Sequence, residues 1–141
     1  MDVFFSGSIR GGRSDVALYA ELIDVVEQYG TVLTEHVGQE DVEESEAEAG
    51  LTDADIYEQD LSWLEQADAV VAEVTTPSLG VGYEIGRAVA WGKPVLALYR
   101  PDADHDLSAM VRGNDAVRVL EYRTPDEVEA DLAAFLGEHR E

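Results

Sequence analysis

One segment of the chain, residues 75–84, has the composition of a loop that leads from a strand into a helix. Two glycines and Ser78 precede a glutamate, Glu84. Ser78 is suited either to cap the helix or to bind phosphate. Glu84 is expected in the first helical turn, where the helix dipole favours the ionised carboxylate that a nucleophile needs. A glutamate at such a position is often only a dipole or capping residue, so both interpretations stay open.

A second glycine-containing turn, residues 7–13, reads Gly-Ser-Ile-Arg-Gly-Gly-Arg. Glycines let the backbone approach an anion closely, and the helix that follows offers free N–H groups. Arginine adds a planar donor fork that suits phosphate. The turn is neither a dinucleotide fingerprint nor a P-loop. Many strand-to-helix turns are glycine-rich, but two arginines in this one, in a chain with nine basic residues, favour anion binding.

Asp60 is a second carboxylate in an unexpected place. It is four residues from both Ile56 and Leu64, so it lies along the apolar side of a predicted helix. A carboxylate on a packed face costs free energy unless it is paired, and active sites often tolerate that cost. The alternative is a position on the helix flank that is open to water.

The elements that position these residues alternate between short β-branched runs and longer amphipathic runs. Strands are predicted at residues 3–6, 31–34, 69–74, 94–99 and 116–120, and helices at 15–30, 52–66, 81–91 and 124–136. This alternation predicts one α/β domain over residues 1–141: a doubly wound, five-stranded parallel sheet of the Rossmann or flavodoxin type with helices on both faces. The acidic stretch 38–50 has no apolar period and is expected to be a mobile loop or a frayed helix. Ligands of such sheets bind beyond the carboxyl ends of the strands.

The charge of the chain is extreme, with 31 acidic and 9 basic residues and a net charge of −22. Such a surface repels duplex nucleic acid. A cationic partner is one explanation, but the acidic residues are dispersed, which favours adaptation of a halophile to concentrated salt. No cysteine is present, so disulfides and thiolate chemistry are excluded. The sequence has neither a signal peptide nor a membrane-spanning run, and we expect a cytoplasmic protein.

Histidine supplies no obvious metal site. His36 and His105 have no second histidine at ligand spacing, and the carboxylates form no recognisable cluster with them. We therefore expect surface roles for both residues, and neither a metal nor another cofactor.

With these residues in view, the sequence resembles the 2′-deoxynucleoside 5′-phosphate N-hydrolases, which are relatives of the nucleoside 2-deoxyribosyltransferases. The resemblance covers nearly the whole chain. It is most specific at residues 7–13, 33–37, 58–61, 72–74, 77–90 and 107–113.

The resemblance implies a mechanism with two carboxylates. Glu84 matches the nucleophile of that family, which attacks the anomeric carbon and forms a covalent glycosyl-enzyme. Asp60 matches the second carboxylate, which assists protonation of the departing base or orients the sugar and the nucleophile. Water then releases 2-deoxyribose 5-phosphate. On this chemistry both carboxyl groups should lie within roughly 6 Å of the same sugar carbon.

The resemblance also implies the phosphate contacts. They fall on Gly7, Ser8, Ile9 and Arg10 in the first turn, on Ser78 and Gly80 in the second loop, and on Ser108. In the family, the serine that matches Ser108 reaches the phosphate from a neighbouring subunit, so a homodimer is expected.

One departure concerns the first strand. The family usually has a tyrosine where this chain has Phe4, and the tyrosine hydroxyl lies near the nucleophile. Tyr57 or Tyr83 could compensate. Two alternative functions follow from the comparison: a nucleoside 2-deoxyribosyltransferase, which passes the sugar to another base, and a nucleotide-binding sensor without turnover.

Overall fold

The computed structural model describes residues 1–8, 15–38 and 42–139, with side chains from residue 45 onward in the last range. All five strands are parallel, and they stand in the order β2-β1-β3-β4-β5. Their bounds are Asp2–Ser6 (β1), Thr31–Val32 (β2), Ala69–Glu73 (β3), Val95–Tyr99 (β4) and Val117–Glu121 (β5). The order reverses between β1 and β3, which confirms the doubly wound sheet that the sequence predicts.

Helices cover both faces of this sheet. They are Val16–Glu27 (α1), Val42–Glu48 (α2), Asp53–Gln66 (α3), Leu79–Ala90 (α4), Ala109–Arg112 (α5) and Pro125–Glu138 (α6). One core includes Tyr19 of α1 and Phe135 of α6. The other core includes Leu64 of α3 and Ile85 of α4. Every residue of β3 is buried, as expected for a central strand that is covered on both faces.

Local signals in the sequence set where the helices begin. The Thr52 hydroxyl accepts a hydrogen bond from the Asp55 N–H, and the Asp55 carboxylate accepts one from the Thr52 N–H. This capping box starts α3 at the predicted place. Ser78 caps α4 through the Val81 N–H at 3.3 Å, so α4 begins two residues before the predicted position.

One further prediction about the elements is corrected, and one is narrowed to its helical alternative. Strand β2 ends at Val32, because Thr34 bonds to the backbone of Phe5 through its side chain. Its hydroxyl accepts from the Phe5 N–H at 2.9 Å and donates to the Phe5 carbonyl at 2.6 Å. In the acidic stretch, residues 42–48 form the short helix α2. No helix in the described part of the chain is both long and apolar enough to cross a membrane.

Candidate active site

A cavity of about 520 Å³ opens at the carboxyl ends of β1 and β3, where the strand order reverses. Its volume is within the usual range for small-molecule sites. The wall contains residues from the loops after β1 and β3, from a short 3-10 helix after β2, and from α2, α3 and α4: Gly7, His36, Glu46, Asp53, Ile56, Tyr57, Asp60, Pro77, Ser78, Leu79, Gly80, Val81 and Glu84. The location agrees with the rule for open α/β sheets, and the cavity contains both predicted carboxylates.

Asp60 and Glu84 are brought together by the packing of α3 against α4. Both side chains are partly buried, and the two carboxyl groups interact directly, since a hydrogen bond between them contributes to the pKa shift of each. Two carboxyl groups in direct contact are held most stably when they share one proton. The helix face predicted for Asp60 is therefore correct, and its partner is Glu84.

Burial and the neighbouring Asp60 carboxylate together raise the pKa of Glu84 to about 8. Burial also raises the pKa of Asp60, while its hydrogen bond with Glu84 and the nearby His36 oppose that rise. The expectation that the helix dipole ionises Glu84 is wrong. Since α4 starts at Leu79, Glu84 is the sixth residue of the helix, and the dipole effect is largely lost beyond the first turn.

Ser6, at the end of β1, was not predicted as part of the site. Its hydroxyl donates a hydrogen bond to Glu84 Oε1 at 2.7 Å, and this contact acts to lower the pKa of Glu84 against the effect of burial. Ser6 itself is 1% exposed. The two residues are far apart in sequence, and only the alternation of side chains along a strand connects Ser6 to the face that packs on α4.

The predicted phosphate residues divide into three groups. Gly7, Ser78 and Gly80 line the cavity, whereas Ser8 is buried beside it, with its backbone N–H donating to the Tyr19 hydroxyl at 3.2 Å. Ile9 and Arg10 lie outside the described residues. Gly7 also has a packing role, because a Cβ at this position would lie 3.0 Å from the Tyr19 ring.

Ser108 does not line this cavity. It is exposed, and its hydroxyl caps the short helix α5 by accepting from the Met110 N–H at 3.1 Å. A contact between Ser108 and a phosphate in this cavity therefore has no support from the described residues of one chain.

The tyrosine position of the family is filled by a core residue here. Phe4 is 1% exposed and belongs to the core between the sheet and α3 and α4. Tyr57 and Tyr83 do not compensate in the way the sequence suggested. Their hydroxyls lie 3.2 Å from each other, and Arg87 donates to Tyr57 at 3.0 Å. The hydroxyl that reaches Glu84 belongs to Ser6.

The surface role expected for His36 is wrong. His36 lies in the short 3-10 helix Glu35–Gly38, is partly buried and lines the cavity. Its ring packs against Trp63 with the centroids 5.3 Å apart, and its charge influences Asp60. Sequence reasoning considered it only as a metal ligand and so missed it as part of the wall. Among the described residues, no group of three or more His, Asp or Glu side chains could hold a metal ion.

A buried ionic network lies next to the cavity, at the ends of β3 and β4. Glu73 is fully buried and accepts hydrogen bonds from Tyr122 at 2.5 Å, from the Thr75 N–H at 2.8 Å and from Arg100 at 3.3 Å. Arg100 also contacts Asp15, with Nη2 and Oδ2 2.6 Å apart. The network therefore ties the start of α1 to the loop that follows β3.

The family of the chain is given by a family model, described as nucleoside 2-deoxyribosyltransferase, that matches residues 3–126. Among individual proteins, the chain is 60% identical over 136 residues to the mouse (Mus musculus) 5-hydroxymethyl-dUMP N-hydrolase, covering 94% of this chain and 78% of that one. It is 52% identical over 139 residues to the rat (Rattus norvegicus) protein of the same name, covering 99% of this chain and 84% of that one.

A solved structure, the CMP N-glycosidase of Clostridium botulinum, shares the fold. The TM-score is 0.67 at 19% identity, with 96% of this chain and 99% of that chain covered. At this identity the likeness supports the five-stranded α/β architecture alone. The match to the family model, which spans most of the sequence, carries the assignment, and the chain belongs to the nucleoside 2-deoxyribosyltransferase family.

Proposed function

We propose that this protein hydrolyses the N-glycosidic bond of 2′-deoxynucleoside 5′-monophosphates, giving the free base and 2-deoxyribose 5-phosphate. The observation that carries the proposal is the hydrogen-bonded pair of Asp60 and Glu84 in the wall of the cavity. Paired carboxyl groups are the usual apparatus for glycosidic bond cleavage with a covalent intermediate. The mouse and rat relatives, whose names specify N-hydrolysis of 5-hydroxymethyl-dUMP, support this reaction class and suggest the first substrate to test.

The shared proton of the pair suits both steps of the reaction. When it moves from Glu84 to Asp60, Glu84 becomes the charged nucleophile and Asp60 becomes an acid. Glu84 then attacks C1′ of the deoxyribose, and the C1′–N bond breaks with its electron pair leaving on the base, which takes up the proton from Asp60. In the second step Asp60 accepts a proton from water, and the resulting oxygen nucleophile displaces Glu84 from C1′.

In this proposal, the phosphate of the substrate binds at the start of α4. Ser78 and Gly80 line the cavity there, and free N–H groups in the first turn of a helix attract anions. Gly7 lines the cavity from the loop after β1. We include Ser8, Ile9 and Arg10 in this phosphate site on the resemblance alone.

A homodimer is the second part of the proposal, with Ser108 of one subunit completing the phosphate site of the other. Two apolar side chains support a protein interface because they are almost fully solvent-exposed: Leu79 is 97% exposed, on the cavity wall, and Met110 is 84% exposed, two residues after Ser108. Molar mass in solution tests this. We expect twice the chain mass, and we expect Met110→Lys to shift the protein toward a monomer with weaker phosphate binding.

Base release from a panel of deoxynucleoside and ribonucleoside monophosphates, including 5-hydroxymethyl-dUMP, tests the activity. Glu84→Gln should abolish release, while Glu65→Gln, an exposed glutamate on α3, should leave it unchanged. Unchanged turnover in Glu84→Gln would overturn the nucleophile assignment. Adding a second free base distinguishes the hydrolase from the transferase alternative, because a transferase would form a new nucleoside. Binding of deoxynucleotides without any base release would favour the sensor.

Three sequence predictions remain proposals. The single-domain organisation and the cytoplasmic location are inferred from the sequence alone. Adaptation to concentrated salt is inferred from the net charge of −22, and the mammalian relatives lend it no support.

A further inference from the structure

We propose that Ser6 is a positioning residue for Glu84: its hydroxyl orients the Glu84 carboxylate toward the sugar and stabilises its charged form. The inference rests on the proposed function, because it takes Glu84 as the nucleophile. It assigns to Ser6 a hydroxyl contact with the nucleophile, where the resemblance expects a tyrosine hydroxyl from the position of Phe4 to lie nearby.

The geometry of the contact supports this role. Ser6 Oγ and Glu84 Oε1 are 2.7 Å apart, a normal distance for a hydroxyl that donates to a carboxylate. Ser6 is 1% exposed, and its hydrogen bond leaves the second oxygen of Glu84 for another partner. A carboxylate held at one oxygen presents the other in a fixed direction, as an attacking nucleophile requires.

The surroundings of Glu84 show why such a donor is needed. Asp60 approaches from α3 and disfavours the charged form of Glu84, and burial acts in the same direction. The nearby cationic group is His36, which lowers the pKa of Asp60. Among the groups that influence Glu84, Ser6 on β1 acts in favour of its charged form.

The position of Ser6 on the strand explains how it can take over from a tyrosine. Side chains two residues apart on a strand point to the same face. Phe4 and Ser6 therefore both face α3 and α4, and Phe4 packs in the core there. Ser6 is two residues nearer the carboxyl end of β1 than Phe4, and its short hydroxyl side chain contacts Glu84 directly. A tyrosine at the position of Phe4 would have to extend toward Glu84 from two residues earlier on the strand.

The test compares Ser6→Ala, Ser6→Cys and wild type on one deoxynucleotide that the wild type cleaves. Ser6→Ala should lower kcat/KM about 10- to 100-fold, the usual size for a lost hydrogen bond to a charged group. The alkaline limb of its pH profile, expected near pH 8 in the wild type, should move to higher pH, because the charged form of Glu84 loses its donor. Ser6→Cys keeps a weaker donor and should fall between the two.

Ser62→Ala, an exposed serine on α3, is the matched control and should behave like the wild type. Thermal unfolding of each variant shows that it is folded. A Ser6→Ala protein with wild-type turnover, or with slow turnover and an unmoved alkaline limb, would overturn the positioning role while Glu84→Gln still reports on the nucleophile. A wild-type protein that releases no base would overturn the proposed function and this inference together.

Discussion

Asp60 of α3 and Glu84 of α4 line the same cavity, and the carboxyl group of each shifts the pKa of the other. Neither carboxyl group behaves as an isolated acid, since each changes the charge that the other can carry. The two groups therefore titrate as a pair, and the pH profile of activity should show two apparent pKa values. In the mechanism proposed above, the form with one shared proton is the active form.

The first prediction concerns the pH dependence of this pair. Base release by the wild type should decline as the shared proton is lost, at a pH near the pKa of about 8 that Glu84 has in the protein. Asp60→Asn removes the neighbour that raises the pKa of Glu84, so the alkaline limb should disappear. The remaining rate should be lower by about 10²- to 10⁴-fold, as for the loss of a general acid.

Profiles of kcat/KM against pH check this prediction. Asp53→Asn is the control, because Asp53 lines the same cavity from the start of α3 and should keep the alkaline limb. An alkaline limb that persists in Asp60→Asn would show that another group controls it.

The second prediction concerns stability. The pKa of Glu84 is raised from its ordinary value of 4.5 to about 8 in the folded protein, so the unfolded chain releases this proton at lower pH. The wild type should lose stability as pH rises from about 4.5 to about 8. Glu84→Gln cannot ionise. Its melting temperature should exceed that of the wild type by an amount that grows across this range and is constant above it.

Calorimetry at pH 5, 7 and 9 measures the difference between the two proteins, with roughly 3 to 5 °C expected for each kcal/mol in a chain of this size. Glu65→Gln should show no such trend. A difference that shrinks with rising pH would contradict the direction of the shift.

The third prediction concerns the network around Glu73. Arg100→Ala leaves the Glu73 carboxylate buried without its cation, and the free energy of unfolding should fall by about 3–5 kcal/mol. Arg118→Ala is the matched control. Arg118 pairs with Glu138 at 3.0 Å, but their side chains are 52% and 53% exposed, so the loss should be below about 1 kcal/mol. Urea unfolding compares the two, and equal losses would argue against an energetic role for the network.

The fourth prediction concerns salt. Repulsion within a chain of net charge −22 should be screened by potassium chloride, so the melting temperature should rise with salt concentration. If the composition reflects adaptation to concentrated salt, the rise should continue into the molar range, well beyond the concentration at which screening is complete. A plateau at about 0.3 M would limit the effect to ordinary screening, because the Debye length is then already below about 6 Å.

The sequence predicted the sheet because its strands are short, apolar and separated by amphipathic helices. That Asp60 and Glu84 share a site was implied by the resemblance to the N-hydrolases. The parallel sheet itself predicted only that residues 75–84 lie at the edge where ligands bind. The predicted boundaries of the helices and strands were less accurate. The Ser78 cap moved the start of α4 by two residues, which placed Glu84 outside the first turn. Burial and Asp60, rather than the helix dipole, therefore dominate the pKa of Glu84.

The contacts of Glu84 could not be predicted in the same way. Its bond to Ser6 joins residues 78 positions apart, and no local pattern specifies such a pair. The network of Glu73 with Arg100 and Tyr122 also joins residues that are far apart in the sequence. Glu73 lies in a predicted strand that is otherwise apolar, but its burial and its partners depend on tertiary packing.

The alternation of Phe4 and Ser6 along β1 has a consequence for the way members of this family are compared. In the role proposed for Ser6, a hydroxyl two residues further along β1 contacts the carboxylate in place of the tyrosine that the resemblance expects at Phe4. The absence of that tyrosine is then no argument that this chain is inactive. Members of the family are better compared by the hydrogen-bond donors that contact the nucleophile, whichever position of the strand supplies them.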